Sequence, residues 1–204
     1  MKIDPANLDW KASHELLVGC IVPRPIAFVS TVGKDGVFNV APFSFFTGLS
    51  MKPMILGFNA GRFREGQKKD TLVNIEFTKD FVVNIVPEAL GDAQNQASER
   101  YPSHVDEFKE VDLTPAQADI VKSPMVAESP VNLECRLTQI LEFGSLPRIA
   151  SFIIGEVVLV HTRDELYVND AIDMSGLKAI ARMGGEFYCR TRDIFELKRP
   201  EPLA

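Results

Sequence analysis

Between Arg24 and Phe46 the chain reads RPIAFVSTVGKDGVFNVAPFSFF, two apolar runs of β-branched and aromatic residues on either side of GKDG. Runs of that kind separated by a glycine-rich tetrapeptide dictate an antiparallel hairpin, with Gly33, Asp35 and Gly36 expected to supply the positive φ angles of the turn. The second run does not end as a strand normally ends. It passes into APFSFFTGLS, where Pro42 lacks the N–H that a sheet ladder needs and Phe43, Phe45 and Phe46 surround Ser44. A stretch so aromatic, and broken by proline, reads as a pocket wall attached to a hairpin rather than as a further strand.

Strand-type runs recur over 24–31, 37–41, 54–59, 81–86, 131–143, 149–161 and 186–191. Helical patterns are fewer: 71–77 with Asp70 as its N-cap, 88–98, and 115–121 capped by Thr114. The long runs VNLECRLTQILEF and ASFIIGEVVLVHT alternate in part, with Glu134, Arg136 and Glu156 interrupting the apolar face, so antiparallel pairing with one wet face follows. No regular strand–helix–strand repeat occurs, which argues against a doubly wound parallel sheet. Closure into a barrel would remove exposed edges. The expected organisation is mainly β with small helices, one domain over 1–204, with no repeat or linker to divide it.

Composition excludes several functions. A formal charge of −6 argues against nucleic-acid binding, since phosphate neutralisation needs a basic face. Cys20, Cys135 and Cys189 are odd in number and widely spaced, which suggests neither a disulfide framework nor a zinc site and fits reduced thiols in a cytoplasm. The apolar stretch 36–51 is interrupted by Asn39, Pro42 and Gly48, so no membrane span is expected, and the N-terminus MKIDPANLDW has no apolar signal segment. GxSxG, HExxH, the GxxxxGK phosphate loop and the GxGxxG dinucleotide fingerprint are all missing. His14 and His161 read as histidines without partners.

The residues that remain suit a flat aromatic ligand carrying a phosphate. Asn39 through Phe46 mixes apolar walls with donors: the side chains of Asn39 and Ser44, and the amides of Val40, Ala41, Ser44 and Phe45 beside Pro42. Lys68, Lys69 and Thr71, with Arg62 and Arg64 upstream, place positive charge and a hydroxyl just before a helix start, where free amides point outward. Asp70 would be repelled by a phosphate and is expected to cap the helix instead. Arg24 either reaches that phosphate or makes an ordinary ion pair. Thr31 either touches the ligand or supports the hairpin. The glycines of ARMGGEFYC, Gly184 and Gly185, lie between Arg182 and Tyr188, at a turn or at the edge of the site.

The succession RPIAFVST, DG, NVAPFSFF, PMILGFN, KDTLVNI, FVVNIV, YPSHVDEF and ARMGGEFYCRT resembles the flavin reductase-like, FMN-binding split-barrel family, in the branch that includes flavoredoxin-type proteins. The resemblance covers nearly the whole chain. It implies a six-stranded antiparallel Greek-key split barrel with short peripheral helices and a homodimer holding FMN near the subunit interface. It implies cofactor-binding roles for Arg24, Thr31, Asn39, Val40, Ala41, Pro42, Ser44, Phe45, Phe46, Asn59, Arg64, Lys69 and Thr71, with no catalytic side chain and no metal. The implied activity is hydride transfer from NADH or NADPH to flavin N5, with electrons leaving to a flavin, oxygen, a ferric complex or a protein. The alternative is a non-enzymatic FMN electron carrier of flavoredoxin type.

Overall fold

A computed structural model describes residues 1–63 and 65–200. Helix α1, Trp10–Cys20, precedes strands β1, Ala27–Val32, and β2, Phe38–Phe43, which form the expected hairpin with Ala27 opposite Phe43 and Val32 opposite Phe38. In its turn only Gly36 takes a positive φ, 83°. The Gly33 amide donates instead to the Val37 carbonyl, and Asp35 supplies a side-chain acceptor for the Val37 amide. Strands β3, Phe46–Met51, and β4, Met54–Asn59, make a second hairpin. Helix α2, Asp70–Thr78, leads to β5, Asp80–Asn84. Short helices α3, Gly91–Gln96, and α4, Glu107–Glu110, follow. The long strands β6, Val131–Phe143, and β7, Ala150–Thr162, come next, and Ile180–Arg182 pairs with Tyr188–Arg190 near the end.

The main sheet has seven strands in the order β2-β1-β5-β6-β7-β4-β3, every neighbouring pair antiparallel. The seventh arises because the aromatic run does not stay a loop: after a corner at Ser44 and Phe45 it resumes as β3. Pro42 is tolerated because β2 is an edge strand that pairs only with β1.

The corner fixes the shape of the whole sheet. Laid flat, strands about 4.8 Å apart would separate β2 from β3 by about 29 Å. The step from Phe43 to Phe46 reaches at most about 10 Å. The sheet therefore curls until its two edges nearly meet at Ser44–Phe45 without pairing: a split barrel.

Ala27 and Val29 of β1 face the barrel interior with Phe43, Phe58, Phe81 and Ile153, all buried. Ile26 and Phe28, on the opposite face, are buried in a second core with Val40, Val86, Phe108 and Val126. Both faces of β1 are thus dry, which is why its sequence is almost continuously apolar rather than alternating.

Three helical expectations change. Asp70 is the first residue of α2 and not its cap; Lys69 occupies the cap position and makes no side-chain capping bond. The 88–98 segment divides into a 3-10 turn, Glu88–Leu90, and α3. The 115–121 segment is not helical: Pro115–Ala116 pairs with Met125–Val126, and the amides of Asp119, Ile120 and Val121 donate to the buried Glu134 carboxylate. His161, expected to lack a partner, lies 2.6 Å from the same carboxylate. Glu134 thus gathers from strand β6 the donors that a helix would have satisfied internally. Among the described residues no helix is long and apolar enough to cross a membrane.

Candidate functional site

A cleft of about 730 Å³ opens where the corner, the start of α1, the chain before α2 and the β6–β7 turn converge. Of the residues singled out from sequence, Arg24, Pro42, Ser44, Phe45, Asn59 and Lys69 line it. Asn39, Ala41 and Thr71 line an adjoining recess of about 90 Å³ that shares Pro42 and Lys69 with the larger cleft.

Thr31, Val40 and Phe46 line neither space. The Thr31 hydroxyl is buried and accepts from the Asn74 amide at 3.0 Å; the Val40 amide donates to Glu107 Oε2 at 2.8 Å; Phe46 packs against the barrel core. Arg64 lies outside the described residues.

The start of α2 is held to the hairpin by side chains. Asn39 Nδ2 donates to Thr71 Oγ1 at 3.0 Å, and Asn74 does the same to Thr31 from one turn further on. These two bonds fix which way the first turn of α2 points. Lys69 provides no side-chain cap, so among the described residues the Asp70 and Thr71 amides are left for another acceptor, and the Thr71 hydroxyl keeps its hydrogen to donate. Lys69 Nζ sits 5.4 Å from the Phe43 ring centroid and 5.9 Å from that of Phe63. Burial pulls the Lys69 ammonium below its ordinary pKa, partly offset by Glu107. Burial pushes the Glu107 carboxyl up to about 7, against the bond from Val40 and with Asp70 adding to the rise.

Arg24 makes no ion pair among the described residues. It is buried, and its guanidinium donates from Nη1 to the carbonyls of Val18 (2.6 Å) and Ile21 (2.8 Å), from Nη2 to that of Met183 (2.8 Å), and from Nε to Ser44 Oγ (3.3 Å). Three segments that border the cleft, the end of α1, the Met183–Gly185 turn and the corner, are therefore tied by one side chain. Desolvation, and then the nearby Arg182, lower its pKa.

The electrostatics of the cleft oppose those of the chain. Arg24, Arg62, Lys69, Arg148 and Arg182 line it, and Glu15 is the one carboxylate among the described lining residues. Arg62 pairs with Glu142 at 2.7 Å, yet its Nε is buried with no partner among the described residues. A buried donor left without an acceptor is costly, and an anionic ligand would relieve it. The apolar side of the cleft comes from Pro42, Phe43 and Phe45, so one space offers flat apolar walls and anion-binding donors together.

Sequence reasoning missed the helix that brings Trp10 and His14 to this cleft, although Asp9 before it is a readable cap whose Oδ1 accepts from the Ala12 amide at 2.7 Å. Arg148, at the β6–β7 turn, carried no local signal. Only the curling of the sheet places it here.

Three similarities accord with this geometry. A protein of Halalkalibacterium halodurans is 37% identical over 98% of this chain and 97% of its own length. The crystal structure of nitrilotriacetate monooxygenase component B from Bacillus cereus superposes with a TM-score of 0.93 at 33% identity, covering 97% of this chain and 98% of that one. That of the Pseudomonas fluorescens 2-nitrobenzoate 2-nitroreductase NbaA gives 0.88 at 27%, covering 98% and 96%. The family model for the flavin reductase like domain matches residues 18–176, a span running from the last turn of α1 past the end of β7 and containing the corner, Lys69 and Arg148. With its split barrel and its cleft at the join of the two edges, the chain belongs to the flavin reductase like domain family.

Proposed function

We propose that this protein binds FMN and acts as a cytoplasmic, homodimeric oxidoreductase that takes hydride from NADH or NADPH and passes electrons to a second acceptor, a small molecule or a protein. The observation that carries the reading is the meeting, in one cleft, of an apolar corner, a half-buried cation and a buried guanidinium N–H that has no partner among the described residues. These residues fit the cofactor. Pro42, Phe43 and Phe45 would hold the faces of the ring, Asn39, Asn59, Ser44 and the amides of the corner its polar edge, and Lys69, Thr71 and the free amides of α2 the phosphate. Bound FMN supplies the hydride and electron chemistry. The protein's own part is positional and electrostatic: the cations of the cleft favour negative charge on a bound ligand, and the corner's apolar side chains exclude water from it.

The resemblance to a component of a monooxygenase supports an acceptor outside this chain, and the resemblance to a nitroreductase supports an oxidoreductase. Three unpaired thiols suit a reducing compartment. A second copy as partner is supported by the exposed apolar residues Leu49, Met51 and Met54 along edge strand β3 and its neighbour β4.

Titration of FMN into flavin-free protein tests the reading, followed by NADH and NADPH oxidation in the presence of FMN and ferric acceptors. Saturable uptake with turnover is expected. A protein that takes up no FMN overturns the proposal, and tight FMN with no nicotinamide turnover reassigns the chain as an electron carrier of flavoredoxin type.

A further inference from the structure

Trp10 is the single tryptophan of the chain, and at 52% exposure it stands at the start of α1 and lines the cleft. Its indole is stacked with the His14 imidazole one helical turn away, centroids 5.2 Å apart and planes 13° from parallel. The guanidinium carbon of Arg148, contributed by the distant β6–β7 turn, lies 4.0 Å from the same indole centroid. The indole thus carries an imidazole stacked on it and a guanidinium over its ring, on the wall of the cleft. Arg148 has no carboxylate partner among the described residues, so its charge is committed to the stack alone.

The flavin reading leaves this group without a task. Lys69 and the first turn of α2 serve one phosphate, whereas Arg148 is a second cation in the same cleft, set beside an aromatic plane. Aromatic and guanidinium planes stack heteroaromatic bases, and a guanidinium pairs with phosphate oxygens in a planar fork. A volume of about 730 Å³ leaves such a ligand room beyond the corner.

We propose that Trp10, His14 and Arg148 form a shelf for an adenine nucleotide, whose purine joins the stack and whose phosphate pairs with Arg148. The choice of an adenylate rests on the proposed function, since a nicotinamide dinucleotide carries one; the shelf itself stands on its geometry.

The lone tryptophan makes the test direct. Flavin-free protein is titrated with AMP while Trp10 emission is followed. Saturable quenching is expected, weakened about tenfold by Arg148→Ala, the scale of a lost charge-assisted hydrogen bond, and to a lesser degree by Arg148→Lys, which keeps the charge but not the plane. Ribose 5-phosphate, with the phosphate but no base, should leave emission unchanged. The shelf is overturned by unsaturable or absent quenching, by equal affinity in Arg148→Ala, or by ribose 5-phosphate matching AMP. FMN uptake by the unaltered protein is read separately through flavin absorbance. Loss of the AMP response with FMN uptake intact sinks the shelf alone, and the reverse pattern sinks only the flavin reading.

Discussion

Glu107 shows how one buried carboxylate can set the pH response of a domain. Its ordinary value of 4.5 rises to about 7, chiefly through burial, with Asp70 and Asp106 opposing ionisation and Lys69 and the Val40 amide favouring it. Between those two values the folded protein holds a proton that the unfolded chain has released, so this group makes stability fall as pH rises from about 4.5 to about 7 and level off above. The full contribution is on the order of 3 kcal/mol. Glu107→Gln keeps an acceptor for Val40 and removes the titration; urea unfolding at pH 5 and pH 8 should show a flatter profile and a variant more stable than the parent at pH 8. Arg24 is the other residue that the whole site leans on. Arg24→Met would leave the carbonyls of Val18, Ile21 and Met183 without their donors, and a loss of roughly 3 kcal/mol or more is expected in thermal or urea unfolding. Weaker FMN binding should accompany it, because the Ser44 corner loses its tether. An unchanged melting temperature would refute the clamp.

Among the elements, β7 is the one whose sequence answers most narrowly to its neighbours. Gly155 sits mid-strand opposite Leu56 on one side and Leu137 on the other, where an added Cβ would meet the buried Phe81 ring at 2.5 Å and the Arg136 carbonyl at 3.2 Å. Gly155→Ala should therefore destabilise by about 1–3 kcal/mol, read as a lowered urea midpoint, since neither a core phenylalanine nor a ladder carbonyl yields easily. Elements of this kind were legible in sequence: β4 and β6 fall on the expected residues, and β1, β2, β5 and β7 within three residues at either end, because their apolar runs are long and bounded by turn residues. Other elements depended on tertiary partners. Strand β3 looked like a loop because Pro42 suggested a break, whereas the break is a corner and the chain pairs again two residues later. The 115–121 segment looked helical because nothing local announces that Glu134 will collect its amides. The aromatic and the basic halves of the cleft were readable as motifs. Arg24 lines the cleft, but its bonds to Val18, Ile21 and Met183 were not legible, since a guanidinium's partners are decided by where α1 and the Met183–Gly185 turn come to rest.

For the whole molecule, the exposed apolar strip of Leu49, Met51 and Met54 carries the expectation of a dimer. Sedimentation of dilute protein should give twice the 22.7 kDa chain mass, and Met51→Lys, a fully surface change, should shift the population toward monomer without lowering helix or strand content. A monomer at all concentrations would refute the interface. The corner at Ser44–Phe45 carries a consequence in time as well as in space. Its neighbours along the chain lie at the two extremes of the sheet, so it reaches its final form only when the strands between have zipped together and the Asn59 amide has found the Phe45 carbonyl. Such non-local closure is expected to come late in folding and to be slow. The half-made barrel, with its other strands already in register, has no ligand site at all, and a cofactor that binds there would act as a latch, selecting finished molecules and holding the last-formed join shut.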